Sequence, residues 1–79
     1  MNKLILNIDK VHTTTMGIER IKNNLKLDDI DVVDYIKNKI LDKRCKIIIK
    51  GKNYYCQIDN IKITINASSY TVITAHKVY

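Results

Sequence analysis

The chain has 79 residues, of which 46% are apolar, with 14 Lys and Arg against 8 Asp and Glu and no Pro, Phe or Trp. A chain this short has room for one domain, buries roughly 60% of the surface it exposes when unfolded, and must build its core from aliphatic side chains and tyrosine. The composition excludes disorder, no apolar run approaches the roughly 18 residues of a membrane span, and no secretion signal is apparent, so a cytoplasmic protein without a membrane partner is expected.

In chain order, Leu4, Ile5, Ile8 and Val11 recur at helical spacing and predict a short amphipathic helix within residues 3–11. The hydroxyl run Thr13-Thr14-Thr15 breaks that pattern and suits an N-cap, and Ile18, Ile21 and Leu25 predict a second helix over 16–25. Asp28 and Asp29 are expected to cap a third helix, whose apolar stripe is Val32, Val33, Ile36, Ile40 and Leu41. From Cys45 onward the apolar period changes to that of strands, over 46–50, 53–58, 61–66 and 70–78. The intervening turns, Gly51-Lys52, Asp59-Asn60 and Ala67-Ser68-Ser69, are too short for parallel crossovers. The expected fold is α+β: two or three N-terminal helices (about 3–43) on one face of a four-stranded antiparallel meander sheet (about 45–78), forming one domain over 1–79.

Tight turns pair Ile49 with Tyr54, Ile47 with Cys56, Cys56 with Ile63 and Ile58 with Ile61. A three-residue third loop pairs Ile65 with Thr71, Ile63 with Ile73 and Ile61 with Ala75. One face then collects Ile47, Ile49, Tyr54, Cys56, Ile58, Ile61, Ile63, Ile65, Ile73 and Ala75, without a charge, and is expected beneath the helices. The other face carries Lys46, Ile48, Lys50, Tyr55, Gln57, Lys62, Thr64, Asn66, Tyr70, Val72, Thr74 and His76.

Charge follows the same division. Residues 1–43 carry eight basic and seven acidic side chains, whereas residues 44–79 carry six basic side chains against Asp59 alone. A basic half with tyrosines on an open sheet face suits RNA or another polyanion, since rings stack on bases and ammonium groups neutralise phosphates. The candidate nucleic-acid contacts are Lys46, Lys50, Lys52, Tyr55, Lys62, Thr64, Tyr70 and Thr74. His12 and His76 titrate nearest neutrality and are the candidate acid and base for metal-independent RNA cleavage. Each also has a plain structural reading, His12 as a helix-end residue bonded to a carbonyl and His76 as an exposed strand residue. Cys45 and Cys56 lack the C-x-x-C spacing of a zinc knuckle and are expected as reduced thiols, so neither metal nor cofactor is anticipated.

The segments His12-Thr13-Thr14, Gly17-Ile18-Glu19-Arg20-Ile21 and Asn66-Ala67-Ser68-Ser69-Tyr70-Thr71-Val72-Ile73-Thr74-Ala75-His76 carry a resemblance over about residues 8–77. The chain resembles a short bacterial family of unknown function that shares H-T-T-x-x-G-x-x-R-I and N-A-x-S-Y-T-I-I-T-A-H; Val72 here replaces an isoleucine. More loosely, helices before a four-stranded sheet that ends in Thr-Ala-His are similar to the barnase, EndoU, colicin and RelE ribonuclease superfamily. That resemblance implies a toxin-like RNase whose last strand supplies His76, Thr74 and Tyr70, with His12 as a candidate partner. Two readings stand at this point. One is a small RNA-acting domain, a metal-independent ribonuclease or a silent binder; the other is a non-enzymatic protein-binding module, such as a phage-type inhibitor of a nucleic-acid machine. Oligomeric state is open.

Overall fold

The computed structural model describes residues 3–28 and 30–78. Helix α1 (Lys3–Leu6) and a 3-10 turn (Ile8–Lys10) precede α2 (Thr15–Leu25), α3 (Val32–Leu41) and the strands β1 (Lys46–Lys50), β2 (Asn53–Ile58), β3 (Ile61–Asn66) and β4 (Val72–Lys77). The strands form one antiparallel sheet in the order β1-β2-β3-β4, giving the α+β meander that the sequence predicts.

The first helix is shorter than its apolar spacing suggests. The Asn7 side-chain amide donates to the Lys3 carbonyl at 2.8 Å, one of the local bonds by which asparagine competes with a continuing helix. Thr14 caps α2, its hydroxyl accepting the Gly17 N–H at 3.0 Å, and Lys26 closes the helix in the left-handed region at φ 54°. Asp31, not Asp28, caps α3: it stands directly before Val32 and its carboxylate accepts the Asp34 N–H at 3.0 Å. Asp29, the other cap expected there, lies outside the described residues.

Two hairpins follow the expected register because their turn residues tolerate positive φ. Asp59 and Asn60 sit at φ 51° and 62°, the signature of a type I′ turn, and Gly51 sits at φ 62° at the head of the β1–β2 turn. Ile47 therefore faces Cys56, Cys56 faces Ile63 and Ile58 faces Ile61.

The third hairpin departs from expectation. Tyr70 belongs to the loop, held left-handed at φ 60° with its N–H on the Asn66 carbonyl, so Asn66 lies opposite Thr71 and Ile65 opposite Val72. An irregularity at Ile73 then pairs Thr64 with Thr74, Ile63 with Ala75 and Ile61 with Lys77. The longer loop reverses parity and the bulge restores it. As a result Val72, expected outside, is buried, and Ile73, expected in the core, is exposed, while Ala75, Thr74 and His76 keep their expected faces.

The helices and the inner sheet face enclose a core that includes Leu4, Ile21, Ile36, Ile40, Cys56, Ile63 and Ile65, each fully buried. Helix α2 lies against β4 at one side of the sheet. The cover ends partway along β1: Ile47 is half-buried against the core, whereas Ile49, expected inside, is 61% exposed, and Leu41 on α3 is also exposed. Asp59 fastens α3 to the β2–β3 turn, taking Lys39 Nζ at 2.8 Å and the Arg44 guanidinium at 3.3 Å. Among the described residues no helix is long and apolar enough to cross a membrane.

Candidate nucleic-acid interface

Strand alternation and the observed register arrange the uncovered face in rows that run across the strands. Lys46, Gln57, Lys62 and His76 form one row; Ile48, Tyr55, Thr64 and Thr74 form the next; Lys50, Asn53 and Asn66 form a third. Cationic and amide groups thus flank a central band of apolar, aromatic and hydroxyl side chains. A groove of about 490 Å³ opens here, with a lining that includes Lys46, Ile48, Lys50, Tyr55, Gln57 and Lys62.

Tyr55 occupies the middle of this groove. Lys62 Nζ lies 5.3 Å from its ring centroid, and the Asn53 side-chain amide donates to its hydroxyl at 3.4 Å. A contact of the first kind contributes about 0.5–1 kcal/mol at an exposed site, enough to orient the ring but weak enough for a phosphate to draw the ammonium away. Ile48, 51% exposed, supplies an apolar floor beside the ring. Lys52 lies in the turn at the end of the sheet, where its carbonyl accepts the Ala67 N–H at 2.8 Å. Thr64 is buried between Tyr55 and Thr74, whereas Thr74 is half-buried.

Two residues chosen from the sequence lie elsewhere. Tyr70 packs on the inner side: its ring stacks on that of buried Tyr54 at 6.4 Å, and Lys10 Nζ stands 5.9 Å from its centroid. Its left-handed backbone takes it out of the strand, so alternation does not govern its direction. His12 is held at the start of β4. Its N–H donates to the Tyr70 carbonyl at 3.1 Å, and its carbonyl accepts the Val72 N–H at 2.7 Å. The ring is fixed too. Nδ1 lies 2.7 Å from the Lys10 carbonyl, which only accepts, so in the neutral ring Nδ1–H donates there and Nε2 accepts a hydrogen bond from the Thr71 hydroxyl at 3.1 Å. With that proton committed, the Ser69 hydroxyl donates to Thr71 Oγ1 at 2.8 Å, and Asn66 Oδ1 accepts from the Ser68 and Ser69 backbone amides at 2.9 Å.

His76 stands opposite Lys62 near the far end of β4. From Thr71, which His12 bridges, to His76 is five residues of strand, on the order of 15 Å at about 3.3 Å each. The acid–base pair drawn from the sequence is therefore not assembled in this conformation. Sequence reasoning missed the joint between the His12-Thr13-Thr14 segment and the Asn66–Thr71 loop. The signal was present in the density of short hydroxyl and amide side chains in both segments, which favour local bonds over strand continuation.

Apart from Cys56, which contributes to the groove's lining, the perturbed ionisable groups lie outside the groove. The Arg44 guanidinium holds the Asp42 carboxyl down at about 2, and Lys39 lowers that of Asp59. Burial pushes the Cys56 thiol up to about 12 and raises that of Cys45, and both are free thiols.

Residues 5–76 match a family described as protein of unknown function, DUF3781, and the chain belongs to that family. No curated protein and no solved structure matches it.

Proposed function

We propose that this DUF3781 chain is an RNA-binding domain that holds a single strand across its open sheet face. The observation that carries the reading is the row order: half-buried Tyr55 and exposed Ile48 lie between two rows bearing Lys46, Lys62 and Lys50, in one groove. A polyanion laid across the strands can place phosphates on the lysine rows and a base on Tyr55, with Ile48 beneath its edge. Thr74 and Gln57 offer partners for a 2′-hydroxyl, the group by which RNA differs from DNA. The domain's excess positive charge lies in the half of the chain that builds this sheet.

The proposal is one of binding. Metal-independent cleavage needs a proton donor and a proton acceptor on the same phosphodiester, and His76 beside Lys62 supplies one such histidine to this face. A fluorescence-anisotropy titration of a labelled oligouridine tests the reading. Three neutralised phosphates on a single strand predict a slope of log K against log[salt] near −2, at about −0.7 per contact. Replacing Lys46 and Lys62 together by Gln should reduce that slope to roughly a third. A salt-independent affinity, or one unchanged in the double variant, would refute it.

A further inference from the structure

The two edges of the sheet are treated differently. Along β4, the outward backbone groups are taken by the helical half of the chain. His12 pairs with Tyr70 and Val72, the Thr13 hydroxyl donates to the Val72 carbonyl at 3.1 Å, and the Asn24 side-chain amide donates to the Ala75 carbonyl at 3.2 Å. Along β1, alternate residues turn their N–H and C=O groups away from β2, and among the described residues none receives them. Edge strands are commonly protected by proline, by a bulge or by a covering helix. Here β1 is regular throughout its pairing with β2, has no proline, and exposes Ile48 on one face at 51% and Ile49 on the other at 61%. Its protection consists of a lysine at each end, Lys46 and Lys50.

Those lysines decide which strand can be added. Two copies of β1 paired antiparallel about Ile48 set Lys46 of one against Lys50 of the other. Sliding by two residues sets Lys46 against Lys52 in one direction and Arg44 against Lys50 in the other. Every register that keeps the isoleucines on matching faces therefore opposes like charges, which disfavours a second copy. A strand with a carboxylate at each end of three apolar residues meets the reverse situation. Its carboxylates fall opposite Lys46 and Lys50, its central residue covers Ile48, and the other two cover Ile47 and Ile49 on the inner face.

We propose that the free edge of β1 accepts an extended acidic-apolar segment of a protein partner as a fifth, antiparallel strand. Backbone pairing supplies the affinity and the two lysines the selectivity. Lys46 and Lys50 also line the groove, so such a partner neutralises part of the surface assigned above to RNA.

The probes are two synthetic peptides with the cores Glu-Val-Val-Val-Glu and Lys-Val-Val-Val-Lys, each titrated to millimolar concentration against isotope-labelled protein, with amide exchange followed by NMR. The Glu peptide should slow exchange within residues 46–50 and bind about tenfold more tightly than the Lys peptide. In the Lys46→Glu, Lys50→Glu double variant the preference should reverse. Equal binding of the two peptides, absence of binding by the Glu peptide, or protection mapped away from β1 would each overturn the proposal. No RNA enters the assay, so its failure leaves the RNA-binding reading untouched.

Discussion

The two faces of the sheet share four strands and one backbone, yet they are built to opposite rules. The inner face buries Tyr54, Cys56, Ile61, Ile63, Ile65, Val72 and Ala75 without a charge. The outer face keeps Lys46, Lys50 and Lys62 around one half-buried tyrosine, Tyr55. Stability therefore resides on one side, and the surface proposed for a polyanion on the other. Substitutions should separate the two properties cleanly.

The largest effect is expected at Ile63, fully buried at the centre of the inner face. Ile63→Ala should cost roughly 2–5 kcal/mol in a denaturant titration, through lost burial and the cavity left behind. Because the side chain lies away from the groove, RNA affinity of the folded fraction should be unchanged. An unshifted midpoint would mean that the register is wrong.

Gly17 tests the joint between α2 and β4. A Cβ at this position would run into Thr13 Oγ1, the atom that donates to the Val72 carbonyl. Gly17→Ala should therefore destabilise by about 1–3 kcal/mol, the usual cost of overpacking, although alanine is the better helix former. A stabilised variant would show that Thr13 does not need that space.

The tyrosines offer the sharpest contrast. Tyr55→Ala should weaken RNA binding by about 1–3 kcal/mol, the range for one stacked base, and leave the melting temperature nearly unmoved. Tyr70→Ala should do the reverse, since its ring stacks on Tyr54 inside. If Tyr70→Ala impairs binding as much as Tyr55→Ala, the inner and outer assignments are not separate.

The smallest effect at neutral pH, and one that appears only in alkali, concerns Cys56. Its thiol is shifted up from 9.0 to about 12 by burial, so between these values the unfolded chain ionises while the folded chain keeps its proton. The unfolded state then binds fewer protons, and stability falls as pH rises across that window. Cys56→Ala should lose this component of the slope while other groups continue to titrate; parallel stability curves from pH 9 upward would contradict it.

Much of this architecture was legible in the sequence, for local reasons. The first two hairpins could be read because Gly51 and the Asp59-Asn60 pair announce tight turns, and those turns fix which residues share a face. That reading brought Lys46, Lys50, Tyr55, Lys62 and Thr64 onto one surface, which Thr74 joins only because the bulge in β4 restores the parity that the third loop reverses. The third hairpin could not be read in the same way. A left-handed tyrosine and a bulge at Ile73 leave no mark in an alternation of apolar residues, and together they exchange Val72 and Ile73. The exposure of Ile49 was hidden for a different reason: alternation reports a side chain's face, but not whether a helix reaches far enough to cover it.

The central claim concerns location, and an NMR titration of isotope-labelled protein with single-stranded oligouridine at low salt tests it most directly. Shifts should concentrate at Lys46, Tyr55, Gln57 and Lys62 and fade toward the inner face. Shifts centred on α2 and α3, or none at all, would contradict the account.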